Sequence, residues 1–268
     1  MTKLKIITVL VLALFVVGAS SQAPPRQAKE DDRYTSTGQL RKPSQHSGLP
    51  VVGELEGPQE SPQDGARRQI REKRYSSYST PRQVVDLGPL VDGQAESTNL
   101  RFIDYVVVGK PIDPMGIPTS ISTAVVVGTV LGGKVFVNKD HTFVYTDYQV
   151  RVDQILKQDP TANLTVGGLV IAAREGGAVR FPSGHVENFL ISGRGLPAIG
   201  SQYVLFLVKP IPNFPEYDII LDAGYQVKNG RVYPLDDVNS RYVGVDVAVF
   251  LDEVQKAIAA SQNGGIKP

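Results

Sequence analysis

The chain contains no cysteine. Disulfides, thiolate zinc sites and cysteine nucleophiles are therefore excluded, and so is the lipid-modified cysteine of a bacterial lipoprotein. Whatever folds must rest on an ordinary hydrophobic core. Tryptophan is absent too, which removes the usual aromatic platform of a sugar-binding groove. The net charge is only +1, so no global field favours a polyanion, and nucleic acid is not an expected partner. There are three histidines, His46, His141 and His185, too few and too scattered to suggest a metal site. No cofactor, metal ligand set or catalytic residue is assigned from the sequence.

Long apolar runs are scarce as well, and the one that exists lies at the N-terminus. Lys3 and Lys5 precede Ile6–Val17, "IITVLVLALFVV", a run of 12 residues followed by the small residues "GASSQA". This is the three-part pattern of a secretory signal peptide. The run is short for a membrane span, which needs about 20 residues. Ala19 and Ser21 fit the small positions before a cleavage site, so residues 1–21 are expected to be removed. With no second such run, the mature chain is expected to lack a transmembrane span. Export without cysteine fits a bacterial periplasmic, cell-surface or secreted protein better than a disulfide-stapled animal one.

Residues 22–98 have a different character. Eight of the 19 prolines lie there, and the longest apolar runs are pairs such as Val51-Val52 and Val84-Val85. Such a segment buries too little apolar area to offset its ordering entropy, and it is expected to be a disordered tether. Within it, Arg67, Arg68, Arg71, Lys73 and Arg74 outweigh Glu72, offering a weak contact to an anionic surface. The plainer reading of that run is solvated charge.

From Leu100 the pattern changes to short runs of Val, Ile, Tyr, Phe and Thr separated by Gly and Pro, as strands require. "FIDYVVVG", "STAVVVGTVLGG", "KVFVN", "NLTVGGLVIAA", "YVLFLVKP", "YDIIL" and "YQVKNGRVY" all read as strands. The strongest signal is the stretch from Phe143 to Leu156. Val144, Thr146, Tyr148, Val150 and Val152 share one face, while Tyr145, Asp147, Gln149, Arg151 and Asp153 share the other. A strand of that length suits one coiling around a barrel. "KDH" before it reads as a hairpin connection, so Asp140 and His141 are expected to form a turn rather than a site. One helix is expected near the C-terminus, where Val247, Phe250, Leu251, Val254, Ala257 and Ile258 fall on one face and Asp246 precedes them as a cap.

The resulting expectation is a mainly β domain over residues 99–262, an antiparallel OB-like barrel or a β-sandwich with one C-terminal helix. Residues 263–268 form a short tail. The cadence of "VVVGTV", "VYTDYQVRVDQILK", "LTVGG" and "GSQYVLFL", between Val125 and Leu207, resembles the OB-type barrels of the netrin-like module class and uncharacterised bacterial secreted proteins of the same cadence. The resemblance implies the fold. It does not imply metalloprotease inhibition, because animal members inhibit through an N-terminal cysteine that this chain lacks.

The functional expectation is an exported, non-enzymatic binding or envelope-associated protein whose partner is a protein, a polymer or a small ligand. Two alternatives stand beside it. One is an exported hydrolase with its site in the loop-rich region 174–200, where Ser183 and His185 lie close in sequence. The other is a structural component of a surface assembly. Asp147, Asp153, Glu175, Glu187 and Asp222 are available for paired-carboxylate chemistry, but no spacing selects two of them. Asn163 begins an "NLT" sequon, read here as an ordinary turn before a strand.

Overall fold

Alternation along Val144–Val152 is realised as a strand with one buried face. Thr146, Tyr148, Val150 and Val152 have no exposed surface, whereas Gln149 and Arg151 are exposed. The structure is a computed structural model that describes residues 48–55, 65, 66, 69, 84, 86, 88, 96–101, 117–138, 141, 143–191, 193–209, 215–237 and 240–263. All of them belong to the unit Arg41–Pro268.

Eleven strands and one helix organise these residues. They are β1 (Val52–Glu54), β2 (Glu96–Arg101), β3 (Ala124–Val137), β4 (Val144–Gln158), β5 (Leu169–Glu175) and β6 (Gly177–Arg180). There follow β7 (Val186–Ile191), β8 (Gln202–Val208), β9 (Tyr217–Lys228), β10 (Arg231–Pro234), β11 (Val245–Asp246) and α1 (Val247–Asn263). One sheet has the order β11-β10-β9-β5-β4-β3-β8, and β8 also pairs with β9. Strands β3, β4, β5, β9 and β8 thus form a five-strand ring of OB-like order, closed only partly. The seam is short, because β5 meets β9 through Ala172 with Tyr217 and Ala173 with Asp218 alone.

The ring separates two apolar layers. Val126, Val130, Tyr148, Val150, Val170, Tyr203, Leu205 and Tyr217 fill its interior. Val125, Val127, Val204, Phe206 and Tyr225 face outward, where α1 covers them with Phe250, Val254 and Ile258. This explains why "AVVVGTV" shows no alternation: β3 is buried on both faces. The helix begins where expected. Asp246 Oδ1 accepts hydrogen bonds from the backbone N–H groups of Ala248 at 2.8 Å and Val249 at 3.4 Å. Such a cap is worth about 1 kcal/mol.

Several expectations need correction. The sheets are mixed rather than antiparallel, since β5–β9, β1–β6 and β2–β7 are parallel pairs. "STAVVVGTVLGG" and "KVFVN" are one strand of 14 residues, not two. Register shifts at Leu131 rather than breaking, so Val130 faces Val150 and Gly132 faces Gln149. Gly132-Gly133 reads as a breaker, but Gly133 serves a close approach: a Cβ there would lie 2.9 Å from Val51 Cγ2. The region 174–200 is less loop-rich than expected, because β6 and β7 form a hairpin in it.

Pairing also begins earlier than residue 99. β1, β6, β7 and β2 make a second sheet, in that order, and β1 and half of β2 come from the stretch expected to be a tether. Val84, 3% exposed, joins Val144, Val179, Phe181 and Phe189 in a third apolar cluster. Edge strands bond through backbone groups, so a Val pair and six mostly polar residues suffice once β6 and β7 supply the template. Gly65, Ala66 and Gln69 have helical backbone. Residues 1–21, expected to be a signal segment, the basic residues Arg67, Arg68, Arg71, Lys73 and Arg74, all of "FIDYVVVG", and Asp140 lie outside the described residues. Among the described residues, no helix is long and apolar enough to cross a membrane.

Candidate functional site

His141 adopts a positive φ of 53° and is exposed. Its N–H donates to Asn138 O at 2.9 Å, and Asn138 Oδ1 accepts from Phe143 N at 2.7 Å. This is turn geometry, as the sequence suggests. Asn163, with φ 50°, directly follows the turn at residues 160–162. Among the described residues, no group of three or more His, Asp or Glu side chains could hold a metal ion.

The β6–β7 hairpin brings Ser183, His185 and a carboxylate together, but in the wrong order for a hydrolase. Ser183 Oγ donates to Asp86 Oδ1 at 2.6 Å, and Ser183 N donates to Asp86 Oδ2 at 3.3 Å. Gly88 N donates to the same carboxylate at 2.9 Å. A serine nucleophile gives its proton to an imidazole that the carboxylate orients from behind. Here the carboxylate holds the serine directly, and the His185 ring is buried and stacked on Phe181 with centroids 5.8 Å apart. The Ser183 hydrogen bond holds the Asp86 carboxyl below its ordinary range. The cluster clamps residues 86–88 onto a hairpin turn.

A second polar cluster lies deep in the molecule. The Arg174 and Asp236 side chains are each 1% exposed and form an ion pair. Arg174 Nε also donates to Gly195 O at 2.7 Å, and Gly195 N donates to Asp236 Oδ1 at 3.0 Å. Arg194 pairs with Glu175 at 3.7 Å. Asp237 N donates to Gly193 O at 2.8 Å, and Ala198 N donates to Tyr203 Oη at 2.7 Å. These bonds fasten residues 193–198 to β5, β8 and the turn after β10. Gly195 is required there, since a Cβ would stand 2.2 Å from Leu235 O. Beside the pair, burial pushes the Tyr148 hydroxyl above its ordinary range. The arrangement is sealed from solvent, so it reads as a structural lock rather than a place for substrate.

The outer face of β4 and β5 is different: at the end that carries Gln149, Arg151 and Leu169 it is exposed and built. Leu169 on β5, Arg151 on β4, Thr129 on β3 and Gln202 on β8 stand side by side in register across four strands. Asp153 organises the row. Its carboxylate accepts from Thr129 Oγ1 at 2.6 Å, Gln202 Nε2 at 3.0 Å and Arg151 Nε at 2.9 Å. Burial raises the Asp153 pKa, but these three donors outweigh it and hold the carboxyl below its ordinary value. The row is flanked by aliphatic side chains left in water. Leu131 is the bulged residue of β3, and Ile199 lies beside it, because Gly200 N donates to Val130 O at 2.7 Å. Val166 lies in the turn that leads into β5, three residues before Leu169. Among the described residues, four of the nine exposed large apolar side chains, Leu131, Val166, Leu169 and Ile199, thus lie on or beside the strands of this polar row. That concentration distinguishes this face from scattered exposure.

Of the five carboxylates singled out in the sequence, the four whose side chains are described are dispersed over different strands and partners. Asp147 and Asp153 lie on the outer face of β4, Glu175 is paired with Arg194, and Glu187 is buried on β7. The side chain of Asp222 lies outside the described residues. Sequence reasoning missed the outer row because its members come from four strands, although the polar alternation of Gln149, Arg151 and Asp153 was visible. Comparison with protein-family models, with curated proteins and with solved structures finds no match to this chain.

Proposed function

We propose that this is an exported, non-catalytic binding protein that meets its partner through the outer face of β4 and β5. The observation that carries the reading is the polar row held by Asp153 and bordered by Leu131, Val166, Leu169 and Ile199. Its groups are bonded to one another before any partner arrives, so little ordering cost attends binding. The neighbouring outer face is already occupied by α1, and the inner face of the long β3–β4 hairpin packs against the second sheet. In five-stranded OB barrels the second and third strands carry the binding face, and β4 and β5 hold those places in the ring. The resemblance of the Val125–Leu207 cadence to netrin-like modules is carried over here to fold alone, not to activity.

Export is supported by Lys3, Lys5 and the apolar run Ile6–Val17. The basic residues between Arg67 and Arg74 add a weak attraction to anionic surfaces, about 1 kcal/mol each at low salt. N-terminal sequencing of the extracytoplasmic protein is expected to start near Gln22. Retention of Met1 in membranes contradicts cleavage. The binding face is tested by a photoreactive residue placed at Leu169 in producing cells, with one at Lys256 on the exposed side of α1 as control. A discrete adduct from position 169 alone supports the reading. Equal labelling from both positions, or none from either, overturns it.

A further inference from the structure

We draw no further inference here: the strongest candidate, the aliphatic border of Leu131, Val166, Leu169 and Ile199 around the Arg151–Asp153 row on the outer face of β4 and β5, belongs to the site already described, and nothing in the structure shows what covers it.

Discussion

Replacing Asp236 by Ala should be among the most damaging single changes in the domain. The Asp236 side chain is 1% exposed and accepts from both the Arg174 guanidinium and Gly195 N–H. Its removal strands a guanidinium whose side chain is also 1% exposed. Breaking one partner of a buried pair costs about 3–5 kcal/mol, because the remaining charge stays desolvated. The lost Gly195 bond adds about 1 kcal/mol. The total is a large share of the 5–15 kcal/mol that holds a typical domain together. The same logic predicts that Arg174→Met combined with Asp236→Leu is less harmful than Asp236→Ala alone, since no charge is left unpaired. Arg180→Ala supplies the contrast: its pair with Glu54 has side chains 51% and 55% exposed and should contribute less than about 1 kcal/mol. Urea unfolding of the four proteins, followed by far-UV circular dichroism, gives the comparison. If Asp236→Ala unfolds within about 0.5 kcal/mol of the parent, the lock does not hold the 193–198 segment and the argument fails.

Three further outcomes are expected. His141→Ala should leave the melting temperature unchanged, whereas Val150→Asp, which puts a carboxylate against Gly128 in the ring interior, should abolish the thermal transition; equal effects would contradict the turn assignment. Asp153 has a folded pKa below its unfolded value of about 3.9, so its contribution is complete above that pH and is lost as pH falls through the folded value. Asp153→Asn should therefore destabilise at pH 7 and converge with the parent in acid, and a gap independent of pH from 7 to 2 would refute the hydrogen-bonding argument. Deleting residues 1–101 removes β1, β2 and Val84 and should lower the melting temperature sharply; an unchanged melt would mean that the second sheet is dispensable.

What could be read from sequence followed local periodicity. The inward set Val144, Thr146, Tyr148, Val150 and Val152 was legible because a strand repeats every two residues. Phe250, Val254 and Ile258 were legible because a helix stacks every third or fourth. The cap at Asp246 has a chemical signature of its own. Interactions between distant segments left no such trace. Asp86 meets Ser183 across 97 positions, and Arg174 meets Asp236 across 62. β1 and β2 escaped notice because they pair by backbone groups, which every residue carries, and their few apolar side chains show no run. The Gly132-Gly133 pair pointed the wrong way: local reasoning sees two breakers, while the fold uses the missing Cβ at Gly133 to bring Val51 close. The candidate site was half visible. Arg151 and Asp153 stood out on the polar face of β4, but Thr129, Gln202 and the aliphatic border join them only once β3, β5 and β8 are aligned.

The central claim is that the exposed face of β4 and β5 is where this protein binds. It is tested most directly by the double variant Leu169→Asp, Ile199→Asp in the full chain, produced at its normal level in its own cells. Both side chains are more than half exposed, so the thermal transition of the purified variant should match the parent. Native electrophoresis of gently extracted material should show the parent in a complex larger than the isolated chain and the variant outside it. A variant that melts like the parent and still migrates in the parent's complex contradicts the account.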